Sequence, residues 1–139
     1  NLGPDARDGD YPLGTRLVGN TAHDIGLWQK QSSFYFSGVS AAANVSGNVC
    51  WNAPRAWINA NDNMGGGDDI GYNVLVNAVR ESGDHGPWNS WNRVPYITTL
   101  RNGTPSVIPA VRTIHHNMIL GTYNTQEAID TDDGSSQYL

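Results

Sequence analysis

Asn48-Val49-Cys50-Trp51-Asn52-Ala53-Pro54-Arg55 and Asn73-Val74-Leu75-Val76-Asn77-Ala78-Val79-Arg80 align at a shift of 25 residues, with Asn, Val, Asn, Ala and Arg identical. A third copy opens at His116-Asn117-Met118-Ile119, after an insertion. Each copy holds a short apolar burst between asparagines, too short for a helix that must repay its own nucleation. Phe34-Tyr35-Phe36 is another such burst. A period of this length, built from short strands and turns, is the signature of a solenoid. One coil cannot bury its apolar face alone. Coils stacked about 4.8 Å apart pair every strand and build one continuous core. Asparagines repeated at the turns stack as amide ladders. The repeat therefore predicts an all-β fold, a right-handed parallel β-helix of about five coils with an inserted loop and hairpin.

The 139 residues suffice for one domain, residues 1–139, which is complete or a piece of a longer β-helix. Residues 1–19 are polar and cap-like; residues 86–112 form the aromatic and proline-rich insertion. Sixteen glycines and 15 asparagines argue against a helical bundle, since both residues favour turns. Net charge is −5, with Lys30 the single lysine, so no basic surface tracks phosphates and nucleic acid is excluded as a partner. No apolar run approaches the ~20 residues of a membrane span. Cys50, the single cysteine, excludes an internal disulfide and a cysteine-rich zinc site; inside an apolar run it reads as buried. The tripeptides Asn44-Val45-Ser46 and Asn102-Gly103-Thr104 are glycosylation acceptors compatible with an extracellular, secreted protein.

Several longer motifs resemble a known group. They are His23-Asp24-Ile25-Gly26-Leu27-Trp28-Gln29-Lys30-Gln31, Asn52-Ala53-Pro54-Arg55-Ala56, Arg80-Glu81-Ser82-Gly83-Asp84-His85-Gly86-Pro87 and Ile129-Asp130-Thr131-Asp132-Asp133-Gly134. Together they resemble right-handed β-helix repeat proteins of the pectin-lyase-like superfamily, over roughly residues 20 to 139. That resemblance implies the β-helix and a setting among polysaccharide lyases, glycoside hydrolases and epimerases. Two positions depart from the pattern: Trp57 stands where a small residue is expected, and Asn92 where an acid is expected.

Carboxylates are the candidate chemistry. The 25-residue shift puts Asn59 in the coil position of Asp84, and a gapped shift of 46 puts Glu81 and Asp84 opposite Glu127 and Asp130. Acids stacked one or two rungs apart span the ~5–5.5 Å and ~6.5–9.5 Å separations of retaining and inverting glycosidases. The candidate catalytic residues are Asp84, His85, Asp130, Asp132, Asp133 and Glu81. Arg80 is the candidate partner for a sugar carboxylate. Trp88, Trp91 and Tyr96, with Arg93 in the same insertion, are candidate sugar-binding residues. Beyond them, Asn102-Gly103 between two β-prone runs predicts a hairpin, with Pro105 confining the return strand to an edge.

Metal signals are weaker. No metal site is expected. Calcium is the one ion with any signal, at Asp130-Thr131-Asp132-Asp133-Gly134 or at Asp62, Asp68 and Asp69 around three glycines. His115 and His116 are neighbours on a strand, so their side chains should part to opposite faces, a pairing unsuited to chelation.

Two functions fit. The first is a secreted β-helix protein that binds or cleaves a polysaccharide, as a glycoside hydrolase with paired carboxylates or as a lyase. The alternative is a non-catalytic structural subunit of an extracellular filament or matrix, assembling through β-helix ends. The partners are then a glycan, or another copy or neighbouring chain at those ends, with no membrane contact. The departures at Trp57 and Asn92 fit this second reading.

Overall fold

The computed structural model describes residues 12–61, 66–91, 96–97, 108–125, 127–135 and 138–139. These form three parallel sheets of four strands each and one two-stranded antiparallel ribbon, with no helix among the described residues. The chain visits the three sheets in the same order on every turn. The first turn supplies β1 (Arg16–Val18), β2 (Thr21–His23) and β3 (Tyr35–Phe36). The second supplies β4 (Asn44–Ser46), β5 (Val49–Trp51) and β6 (Ile58–Asn61), and the third β7 (Asp69–Gly71), β8 (Val74–Val76) and β9 (Trp88–Trp91). An excursion containing the ribbon of β10 (Tyr96–Ile97) and β11 (Ile108–Pro109) follows. The fourth turn then supplies β12 (Thr113–His115), β13 (Met118–Leu120) and β14 (Ile129–Thr131). Sheet one is β1-β4-β7-β12, sheet two β2-β5-β8-β13 and sheet three β3-β6-β9-β14. Four turns are complete, and Tyr138 bridges Arg112 in parallel at the start of a further rung on sheet one.

Three-residue strands explain the core. In sheets one and two, with side chains alternating, the central residue of each points inward. Leu17, Val45, Ile70 and Ile114 stack on sheet one, and Ala22, Cys50, Leu75 and Ile119 on sheet two. Sheet three contributes Tyr35, Ile58 and Trp88. Cys50 is fully buried, and desolvation pushes its thiol up to about 11.

Between sheets one and two the asparagines form a continuous ladder. Asn48 Oδ1 accepts from Asn20 N and Nδ2, Asn73 Oδ1 from Asn48 N and Nδ2, and Asn117 Oδ1 from Asn73 N and Nδ2, all at 2.8–3.1 Å. The free hydrogens of Asn48, Asn73 and Asn117 go to the carbonyls of Leu17, Val45 and Ile70. The residue before each ladder position (Gly19, Gly47, Tyr72 and His116) has positive φ, the left-handed conformation that turns the chain between sheets. A second ladder, Asp24–Asn52–Asn77, marks the exit from sheet two, again at positive φ.

The expected repeat holds in sheets one and two and fails in sheet three. Val49 pairs with Val74 at the shift of 25, but Ile58 pairs with Trp88. The cause is the connection from sheet two to sheet three: residues 77–87 in the third turn replace the shorter 52–57 of the second. The expected column is therefore corrected. Asn59 and Asp130 both register with Asn89, and Asp84 lies in the connection rather than in a strand. Trp88–Trp91 belongs to sheet three, so the excursion starts after Trp91, not at Gly86. β10 and β11 pair antiparallel; the Asn102-Gly103 turn of the expected hairpin lies outside the described residues. Residues 1–11, with most of the expected cap, and Asp62, Asn92, Arg93, Asn102 and Pro105 lie outside the described residues, as does the Tyr96 side chain.

Candidate functional site

The connections from sheet two to sheet three lie on one side and carry most of the polar chemistry. Arg55 sits in residues 52–57, Asp84 and His85 in 77–87, and Glu127 in 121–128. They border the outward column of sheet three, Phe36–Asn59–Asn89–Asp130. Outward residues of a sheet are normally solvated, yet Asn59, Asn89 and Asp130 are 0%, 1% and 7% exposed.

Asp84, His85, Glu127, Asp130 and Asp132 line a cleft of about 340 Å³. A second hollow of about 490 Å³ is lined by Arg55, Asn61, His85, Asn89, Trp91, Asp132 and Asp133. His85 and Asp132 are common to both, so the two hollows adjoin.

Hydrogen bonding fixes the tautomer of His85. Arg55 keeps its protons and donates from Nη2 to His85 Nε2, which must therefore carry a lone pair. The remaining proton sits on Nδ1, 3.9 Å from Asp130 Oδ2 and without a hydrogen-bond partner. Burial and then the Arg55 charge hold His85 below its ordinary value, against the opposing pull of Asp84, Asp130 and Asp132. The ring is neutral at pH 7, with an N–H beside a carboxylate. Asp130 also accepts from Asn89 Nδ2 at 2.9 Å, which fixes one of its oxygens. Asn89 Oδ1 and both amide atoms of Asn59 are buried without a partner.

The cleft brings together four candidates named from sequence, Asp84, His85, Asp130 and Asp132, with Asp133 and Trp91 in the adjoining hollow. It leaves out others. Glu81 pairs with Lys30 at 2.8 Å on the surface, and Arg80 is exposed and lines neither hollow. Trp88 is 1% exposed and packs edge-on against Tyr138 in the core, so it offers no ring face to a sugar. Asn44 is half-buried in the middle of sheet one and accepts from Ser46 Oγ, unlike the loop asparagines that carry glycans. Of the acids around the three glycines, Asp62 lies outside the described residues, Asp68 is buried against Arg112 and the Ala43 amide, and Asp69 bonds His115. Among the described residues no three His, Cys, Asp or Glu side chains are arranged to hold a metal.

Arg55, Asn89 and Glu127 are cleft residues that the repeat alignment did not assign as such. The outward alternation of β9 would have found Asn89, had its register been known. No family model, curated protein or solved structure matches this chain.

Proposed function

We propose that the chain is a right-handed parallel β-helix of the pectin-lyase-like kind, acting outside the cell as a glycoside hydrolase at the cleft beside sheet three. Three parallel sheets visited in fixed order, with amide ladders at the turns, support the β-helix part. One observation carries the catalytic part. A single cleft joins a fixed carboxylate, Asp130, and its near neighbour Asp132 to Asp84 from the connection before sheet three, around a neutral His85.

Glycosidic cleavage needs two carboxyl groups facing the anomeric carbon, one giving a proton to the leaving oxygen and one attacking or activating water. Asp130, held by Asn89, is the positioned partner; Asp84 from the preceding connection, or Asp132 two residues along from Asp130, is the other. His85 Nδ1–H donates to a sugar hydroxyl or to Asp130, and Trp91 offers an apolar face in the adjoining hollow. Lining carboxylates outnumber the single arginine, which favours a neutral or amino sugar over a uronate. Hydrolysis follows in preference to lyase elimination, which requires an acidic sugar.

The test is a reducing-end assay over neutral, amino-sugar and uronate polymers, followed by Asp130→Asn. Cleavage of a neutral or amino-sugar polymer that falls at least ~100-fold in a folded Asp130→Asn protein is the expected result. Cleavage confined to uronates, or unchanged in Asp84→Asn, Asp130→Asn and Asp132→Asn, overturns it. So does an absence of cleavage throughout the panel. One observation fits a structural subunit that packs side by side rather than through β-helix ends: on the outer face of sheet two, Val49, Met118 and Leu120 are 40–54% exposed. Polymers in electron micrographs, without glycan cleavage, would favour that reading.

A further inference from the structure

On the outer face of sheet one, away from the acidic cleft, two histidines meet where strand alternation predicts that they part. β12 ends at His115, and His116 takes positive φ (51°), which swings its side chain back toward its neighbour. The two Nδ1 atoms lie 2.8 Å apart, with ring planes at 83°. The rung below seats both rings. His115 lies over its register partner Gly71, where a Cβ would come within 2.3 Å of Cε1. His115 Nε2 is 2.7 Å from Asp69 Oδ1. Tyr72 stacks on His116 at 4.8 Å and meets His115 edge-on at 5.1 Å.

Asp69 accepts the Nε2 proton of His115, which leaves a lone pair on its Nδ1. The Nδ1–Nδ1 contact then needs one proton, supplied by His116. A metal ion taking the place of that proton finds two nitrogen lone pairs already together. Two nitrogens ~2.0 Å from one metal are about 2.8 Å apart when cis at a right angle, and about 3.3 Å apart in a tetrahedron. The 2.8 Å separation is that of an N–H···N hydrogen bond, with the lone pairs aimed along the N–N line; turning each ring aims both at one ion without widening the gap, and the affinity order of divalent metals then favours copper(II) over zinc. A carboxylate on the far nitrogen of a ligating histidine fixes its tautomer and strengthens it as a ligand. With no third such side chain among the described residues, water completes the shell.

We propose that His115 and His116 form a surface site for a divalent late transition metal, copper(II) fitting best, held through both Nδ1 atoms with Asp69 supporting His115.

The test is titration of the full chain with copper(II), followed by calorimetry and electron paramagnetic resonance. One equivalent should bind with a tetragonal signal split by two nitrogens. His115→Gln and His116→Gln should each weaken binding at least tenfold and leave single-nitrogen splitting. Asp69→Asn should cost 10–100-fold while keeping both nitrogens. Gly71→Ala, which removes no ligand, should weaken binding by displacing the His115 ring. His23→Gln should change nothing. Should a variant fold poorly, substoichiometric copper(II) on the wild-type chain must broaden the ring resonances of His115, His116 and Tyr72 before those of His23 and His85. Equal binding by wild type and both histidine variants, tighter binding of zinc than of copper, or first broadening elsewhere overturns the site.

Discussion

Asn73→Ala should cost far more than its loss of a few atoms suggests, because the side chain is a node of the amide ladder. Asn73 is 1% exposed. Its Oδ1 accepts from Asn48 N (3.1 Å) and Asn48 Nδ2 (2.8 Å), and its Nδ2 donates to Val45 O and Asn117 Oδ1 (2.9 Å each). Truncation removes all four bonds. Asn48 Nδ2 keeps Leu17 O, and Asn117 Oδ1 keeps the Asn73 amide, but Asn48 N is left buried without its partner. An orphaned buried amide costs ~1–3 kcal/mol and each other lost bond ~0.5–1.5, giving about 3–4 kcal/mol once some water entry is allowed. Asn20→Ala at the exposed end loses only the Nδ2 bond to Asn48, so it should cost under about 1 kcal/mol. Asn73→Asp keeps the acceptor but turns two donated bonds into repulsions, and should be no milder than alanine. Urea denaturation of the three variants at one pH reads all of this from midpoints and slopes. An Asn73→Ala within about 1 kcal/mol of wild type, or an Asn20→Ala equally costly, refutes the ladder as a cooperative element.

Asp68→Asn should destabilise by about 3–5 kcal/mol, because it leaves the Arg112 guanidinium buried beside a neutral amide; Asp68→Leu with Arg112→Met should cost less than the two single changes together, as read by urea midpoints. His85 predicts a pH effect. Its folded value lies below the ordinary 6.5, so the unfolded chain takes up the proton first, and stability is lost as pH falls from about 7 through 6.5 toward the folded value. The denaturation midpoint should therefore fall more steeply between pH 7.5 and 5 in wild type than in His85→Gln; an equal or steeper fall in the variant would count against a neutral, buried imidazole.

What was legible in the sequence follows from what each position must do. An asparagine in the ladder must both accept from one rung and donate to the next, a role other side chains fill poorly, so Asn48, Asn73 and Asn117 stand out. Apolar centres such as Val45 and Ile70, or Cys50 and Leu75, stand out because three-residue strands bury only their middle residue. Sheet three was not legible. β6 reads Ile-Asn-Ala-Asn and β9 Trp-Asn-Ser-Trp, with outward asparagines that covering loops bury. Those loops differ in length from turn to turn, so an alignment carried through them slips by their difference. The slip placed Asp84 in a strand column and hid Asn89. It also grouped Trp88 with Trp91, although residues three apart on a strand face opposite sides: one entered the core and the other the hollow.

The histidine pair sits at the left-handed turns of the asparagine ladder. The turn before each ladder asparagine needs a left-handed residue, and the first two turns use Gly19 and Gly47. At the equivalent positions of the next two stand Tyr72 and His116, at φ of 58° and 51°. Each bears roughly 1–2 kcal/mol of steric cost that glycine would avoid. Stacking of the two rings offsets part of it, at ~0.5–1.5 kcal/mol for such a pair. The remainder has no return in the packing of the core, since Tyr72 is 60% exposed and His116 lies on the surface. Both strained residues instead surround His115, on the one rung where Gly71 leaves room for its ring. A repeat whose backbone asks for glycine, and which carries aromatic and imidazole rings there at a cost, is arranged around those rings. That is the physical reason to seek a ligand at His115 and His116 as well as at the acidic cleft.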